Sequence, residues 1–138
     1  MVLQIVLDET ISKMRVIIAG SRFITDYDLV VKAVKESGFE ITEVVCGAAN
    51  GVDSLGERYA KENGIKLSYF YADWKGLGKR AGHARNEQMS FYGECLIAVW
   101  DGKSKGTKHM IALAKKRKLK VYVKNLMEDT TSLDKFFL

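Results

Sequence analysis

The sequence predicts an α/β fold in which a mostly parallel sheet of about five strands is covered by helices on both faces. Two observations lead there. Short β-branched runs alternate with stretches whose apolar residues recur at helical spacing, and the runs are apolar almost throughout instead of at every second position. A strand packed against helices on both sides has no solvent face to mark, so unbroken apolarity points to a buried parallel strand. The 138 residues, 47% of them apolar, suffice for one domain around one core and hardly for two.

Residues 14–22, MRVIIAGSR, form the first strand and end in a Gly-Ser turn. In TDYDLVVKAVKESG, Leu29, Val30, Ala33 and Val34 share a helical face, and Gly38 stops the helix. The theme then repeats. Val44 to Cys46 form a second strand, Gly47 to Gly51 a small-residue turn, and Val52, Leu55, Tyr59 and Ala60 the inner face of a helix ending at Gly64. IKLSYFYA is the third strand, CLIAVWDG the fourth and LKVYVKN the fifth. Between the last two, GTKHMIALAKKRK is a helix with Met110, Leu113 and Ala114 inward.

The segment between the third and fourth strands, DWKGLGKRAGHARNEQM, carries three glycines and four Lys or Arg residues. Each glycine disfavours helix by about 1 kcal/mol relative to alanine, so the segment is expected to be a lid. In that reading Asp73 and Trp74 leave the third strand at the binding edge, Gly76, Gly78 and Gly82 let the loop fold over, and Arg85 and Asn86 begin the returning helix. Lys75, Lys79 and Arg80 are then solvated loop charges.

The domain is expected to span residues 14–125, with 1–13 as an N-terminal extension and 126–138 as a tail docked through its apolar end. The residues leave the extension open as an added strand, a dimer arm or sequence upstream of a true start at Met14. No apolar run reaches 18 residues, and the start lacks a basic n-region and a small-residue cleavage site, so no membrane partner and a cytoplasmic location are expected. Cys46 and Cys95 lie inside apolar runs. With only His83 and His109 beside them they show no metal-ligand spacing, so buried reduced thiols and no metal site are expected.

The formal net charge is +5, but residues 101–120 alone hold eight Lys or Arg against one Asp. The basicity is therefore local and marks a surface for phosphates, nucleic acid or an acidic partner. Within that segment Lys103, Lys105 and Lys108 surround a helix N-terminus, which attracts anions. Lys115 to Lys118 lie roughly 17 Å away at the other end of the helix, where a solvated, dipole-stabilised C-terminus is the plainer reading and a nucleic-acid contact the sharper one.

In an open parallel sheet, ligands bind outside the carboxyl ends of the strands, so the turns after each run carry the chemistry. After the first strand, Gly20 permits close backbone approach, Ser21 offers a hydroxyl and Arg22 a bidentate grip on phosphate. After the second, Gly47, Asn50, Gly51 and Asp53 lead into a helix whose free N–H groups can cradle an anion. Asp53 either stabilises the first helical turn or holds ribose hydroxyls. After the fourth come Asp101, Gly106 and Thr107, at another helix start.

Four blocks in order, VIIAGSRFITD, VVCGAANGVDSLGERYAKENGI, YFYADWKGLGKRAGHARNEQM and LIAVWDGKSKGTKHMIALAKK, make the chain from Arg15 to Val123 resemble the SLOG superfamily and its YspA-like branch. The resemblance implies a Rossmann-like three-layer sandwich that binds nucleotides or nucleotide derivatives, as sensor or processing enzyme. Carried over by position, it points to Gly20, Ser21, Arg22, Gly47, Gly51 and Asp53 in the first two blocks. In the last two it points to Asp73, Trp74, Gly82, Arg85, Asn86, Gly106 and Thr107. It also implies that the protein can pair as a homodimer, for which the N-terminal arm would serve.

There is a departure. The Lonely Guy members carry PGGxGTxxE, whose glutamate takes part in N-glycosidic cleavage; here the segment is DGKSKGTKHM and the glutamate position is Met110. A thioether is neither acid nor base. The expectation is thus a nucleotide-binding domain without a certain cofactor, with Arg22 and Arg85 neutralising phosphate and Trp74 stacking on a base. The alternatives are a nucleotide-derivative hydrolase recruiting Asp53, Asp73, Asp101 or Glu87, and a nucleic-acid-binding accessory protein of the DprA type.

Overall fold

A computed structural model describes residues 14–127. The readings of residues 1–13 as an extension and of the tail beyond 127 as docked lie outside the described residues. Five strands, β1 (Arg15–Gly20), β2 (Glu43–Cys46), β3 (Lys66–Tyr69), β4 (Cys95–Trp100) and β5 (Lys120–Asn125), form one sheet in the order β3-β2-β1-β4-β5. Every pairing is parallel. Helices α1 (Tyr27–Ser37) and α2 (Val52–Glu62) connect the first three strands. α3 (Trp74–Leu77), a 3-10 turn (Gly78–Arg80) and α4 (Ala81–Tyr92) connect β3 to β4, and α5 (Lys105–Lys116) leads to β5.

The absence of alternation in the central strands has the expected cause. Val16 and Ile18 pack with Val30, Ala33, Val52 and Ala60 beneath α1 and α2. Ile17 and Ala19 pack with Met89, Met110 and Leu113 beneath α4 and α5 on the opposite face. Both faces of β1 are therefore core. Local signals fix the helix ends: Asp26 accepts from the Asp28 N–H at 3.0 Å to open α1, and Gly38, at φ +71°, closes it. At Gly56 the missing side chain lets α2 lie on β1, since a Cβ there would sit 2.9 Å from the Ile18 side chain.

Residues 73–89 differ from the expected lid loop. The segment is mostly helical, and α4 starts at Ala81 instead of at Arg85, which sits a full turn inside. Gly78, at φ +57°, breaks the chain between α3 and the 3-10 turn, and Gly82 lies in the first turn of α4, so none of the three glycines occupies the middle of a long helix. Among the described residues no helix is long and apolar enough to cross a membrane, and no group of three or more His, Cys, Asp or Glu is gathered to hold a metal.

The strand order places the topological switch point between β1 and β4. From β1 the chain moves outward through β2 and β3, then returns to the other side of β1. The connections consequently diverge above the carboxyl ends of these two strands and leave a crevice there.

Candidate functional site

The crevice is a cleft of about 330 Å³, at the lower end of the range for small-ligand sites. Its floor is apolar, made by Ala19 of β1, Met89 of α4 and Met110 of α5. Its walls carry three cations, Arg22, Lys79 and Arg85, and one buried carboxylate, Asp53. Asn50, Gly82, Asn86, Gly106 and Thr107 also line it, with Gly20 at the base. Lys79 is a solvated charge, as expected, but the 3-10 turn carries it to the rim of the cleft, while Lys75 and Arg80 are exposed outside the lining.

Glycine at position 20 is required by packing. A Cβ there would overlap the Val99 carbonyl oxygen and press on Val52, so only glycine lets the end of β1 lie between β4 and the start of α2. Ser21 then points away from the cleft. It is buried, its N–H donates to the Val99 carbonyl at 3.2 Å, its carbonyl accepts from the Ile24 and Val52 amides, and its Oγ accepts from the Asp101 N–H at 3.1 Å. Asp101 likewise folds its own turn, with Oδ1 accepting from the Lys103 and Ser104 amides at 2.8 Å each. Those amides hold its carboxyl below the usual carboxylate range. Ser21 and Asp101 are thus turn-building residues and not cleft-lining ones.

Three further candidates also act through shape. Gly51 caps α2 at φ +74° and ψ −131°, and a Cβ there would overlap the Arg22 and Ser21 carbonyls. Gly47 makes room for two charged side chains, since a Cβ would lie 2.6 Å from Nη1 of Arg85 and 2.8 Å from Oδ2 of Asp53. Asp73 caps α3, accepting from the Gly76 N–H at 2.9 Å. None of the three is part of the cleft lining.

Arg85, the buried Asn86 and His109 form one chain of contacts. Arg85 donates through Nη1 to the Gly47 carbonyl and through Nε to Oδ1 of Asn86 at 3.2 Å. Asn86 donates to the Gly106 carbonyl at 3.2 Å and meets Nδ1 of His109 at 3.2 Å. Arg85 and Asn86 therefore join the turn after β2 to the first turn of α5. His109 stacks on His83 of the cleft wall, ring centroids 3.9 Å apart, and burial together with that neighbour lowers its pKa. Sequence reading missed this pair, because His83 and His109 meet only through the packing of α4 on α5. It also missed Lys79, Ala49 and Ser104 in the lining.

Both helix N-termini at the cleft are suited to anions. No side chain caps α2, because its N-cap is Gly51; the Val52 N–H donates to the Ser21 carbonyl at 3.3 Å, and Asn50 lines the cleft beside it. In α5 the Ser104 Oγ accepts from the Thr107 N–H at 3.3 Å, and nothing lies within 4 Å of where a Gly106 Cβ would be. A phosphate can approach that turn closely. Trp74 is 61% exposed at the rim, its indole 3.5 Å from the Gly82 Cβ position. Burial pushes the Asp53 carboxyl up to about 6, against the opposing pull of Arg85 and the Ala49 and Gly47 amides.

Comparison with known proteins adds three findings. Residues 14–76 match the YAcAr family, described as the YspA, cpYpsA-related SLOG family. The chain is similar to the Gene 61 protein of Mycobacterium phage D29, 33% identical over 112 residues that make up 74% of this chain and 89% of the phage protein. Its fold is similar to the X-ray structure of DNA processing protein A (DprA) from Streptococcus pneumoniae, with a TM-score of 0.63 at 18% identity. That match covers 85% of this chain and 52% of the DprA chain, so this chain spans about half of its structural relative.

Proposed function

The chain belongs to the YspA, cpYpsA-related SLOG family, and on that premise we propose that the cleft binds a nucleotide or nucleotide derivative. The observation that carries this reading is the Arg85–Asn86 bridge, which locks the turn after β2 and the first turn of α5 around one crevice at the switch point. Phosphate sits at the open first turn of α5 beside Thr107, with Arg22, Lys79 and Arg85 supplying charge. The ribose takes the middle of the cleft, where its hydroxyls satisfy Asp53, and the base leans on the Trp74 indole. The apolar floor of Ala19, Met89 and Met110 excludes water beneath it.

The test is a thermal-shift and calorimetric screen of nucleoside mono- and diphosphates, cyclic nucleotides and ADP-ribose. A true ligand at 100 times its Kd stabilises the fold by about 2.7 kcal/mol. A broad panel without one binder overturns the proposal.

One observation favours a second reading, hydrolysis of the bound derivative. Asp53 is the carboxylate of the cleft lining, and its pKa near 6 suits an acid–base role. In that case chromatography detects product from a binder identified in the screen, and Asp53→Asn removes turnover. Unchanged ligand after prolonged incubation leaves binding alone.

A further inference from the structure

A second groove lies at the opposite edge of the sheet, where the parallel strands begin. It is lined by Arg15 at the start of β1, Ser90 and Phe91 at the end of α4, Glu94 before β4, and Lys116 and Arg117 at the end of α5. α5 has 12 residues, which at 1.5 Å each separates this groove from the first turn of α5 by roughly 18 Å. No single small ligand spans both sites.

We propose that this groove binds single-stranded nucleic acid, with Arg117, Arg15 and Lys116 on phosphates and the Phe91 ring under a base. Charge is the first observation. Lys115, Lys116, Lys118 and Lys120 are exposed, and neither they nor Arg117 form an ion pair among the described residues. Glu94 is the one acid in the lining, 3.8 Å from Arg15. Favourable dipole placement accounts for cations in the last turn of α5, but not for the second observation, the way Arg117 is held.

The Arg117 guanidinium lies 3.4 Å over the Phe91 ring centroid, and its Nε donates to the buried Ser90 Oγ at 2.7 Å. This fixes the plane of the group and leaves its Nη donors for a phosphate. Arg15 is fixed in a similar way, its Nε donating to the Tyr92 carbonyl at 2.7 Å and its guanidinium 4.8 Å from the Tyr92 ring. Phe91 remains 71% exposed despite the covering guanidinium. A flat aromatic surface beside pre-oriented cations suits an unpaired base next to its phosphate, which a duplex does not offer.

The experiment is fluorescence anisotropy of a labelled oligothymidylate with the full chain, repeated with its duplex and with inorganic polyphosphate as competitor. About three phosphate contacts give a salt slope near −2, so affinity falls about 20-fold between 50 and 200 mM salt. Phe91→Ala, which removes an exposed ring and one of the two supports of the Arg117 guanidinium, weakens the single strand at least about fivefold and weakens polyphosphate less, because the Ser90 Oγ still holds Arg117. Arg85→Ala, in the other cleft, leaves oligonucleotide binding as it was, so this inference and the nucleotide reading fail separately. No binding at 50 mM salt overturns it, as does equal binding of polyphosphate with Phe91→Ala neutral. Loss of oligonucleotide binding in Arg85→Ala also overturns it, by placing the strand in the cleft.

Discussion

Asp53 is the sharpest handle on the cleft, because its burial has a measurable thermodynamic consequence. Its carboxyl is 6% exposed and titrates at about 6 instead of the ordinary 3.8. At about 1.4 kcal/mol per pH unit, ionising it in the folded protein costs about 3 kcal/mol more than in the unfolded chain. The sign follows from proton binding. Between pH 3.8 and about 6 the folded state holds more protons than the unfolded one, so this group's contribution to stability falls as pH rises and is fully lost above that window. Asp101, Glu43 and Glu57 work in the opposite direction, since their carboxyls are held below the usual range and add stability that is lost on acidification. The difference between Asp53→Asn and wild type cancels these other groups. From pH 4.5 to 7.5 the variant should gain about 2 kcal/mol on wild type in urea unfolding, or about 6–10 °C in Tm. A ¹³C titration of the Asp53 carboxyl reads the same quantity directly. A difference that stays flat with pH, or a carboxyl that titrates at 4 or below, refutes the reasoning.

The cleft makes four further predictions. Arg85→Ala removes a charged donor that joins two turns and should weaken a nucleotide ligand about 10- to 100-fold, whereas Lys79→Ala, an exposed charge, costs less than about fivefold; equal effects by calorimetry would show the site to be misplaced. Gly51→Ala forces a side chain into φ +74° and onto two carbonyls, and should cost about 3 kcal/mol or more in urea unfolding. Gly106→Ala should do the reverse, stabilising the ligand-free protein by up to about 1 kcal/mol while its methyl obstructs the phosphate and weakens binding. Ala48 holds φ +56°, so Ala48→Gly should raise the ligand-free Tm by a few degrees through release of about 1 kcal/mol of strain.

The fold was legible because the central strands β1, β2 and β4 are buried and apolar almost throughout and β1 and β2 end in turns of small residues, features written in local sequence. The cleft was legible to the extent that it is built from those turns. What escaped reading depends on strand order. Ser21 and Asp101 look like ligand residues in isolation, yet β1 and β4 are neighbours, so their turns touch and the two bond to each other. His83 and His109 escaped for the same reason, being joined only by helix packing. The segment after β3 does lie over the cleft, where Trp74, Lys79 and Gly82 line it, but as helix and not as a glycine loop, because glycine disfavours a helix only where it sits inside one. Gly78 breaks the chain with a positive φ and Gly82 gives way to Trp74, so both serve a helical connection. Arg117 was legible as charge, but its seat on Phe91 was not.

The turn after β2 concentrates costs that the rest of the molecule avoids. It holds Ala48 in a left-handed conformation, leaves α2 without a side-chain cap, and buries Asp53 as an incompletely compensated carboxylate. Any of these is easily removed by substitution, and each lowers the stability of the ligand-free chain by about 1–3 kcal/mol. Packing does not demand them: Val52 and Ala60 bury the α2 face whichever residue stands at 48 or 53. Of the three, the Asp53 carboxyl lines the crevice. On the proposed reading, a ligand with hydroxyls for Asp53 converts one of these costs into contacts, as strained turns do at binding sites. The Arg85 bond to Gly47 holds that turn in place, so on the proposed reading binding need not order it.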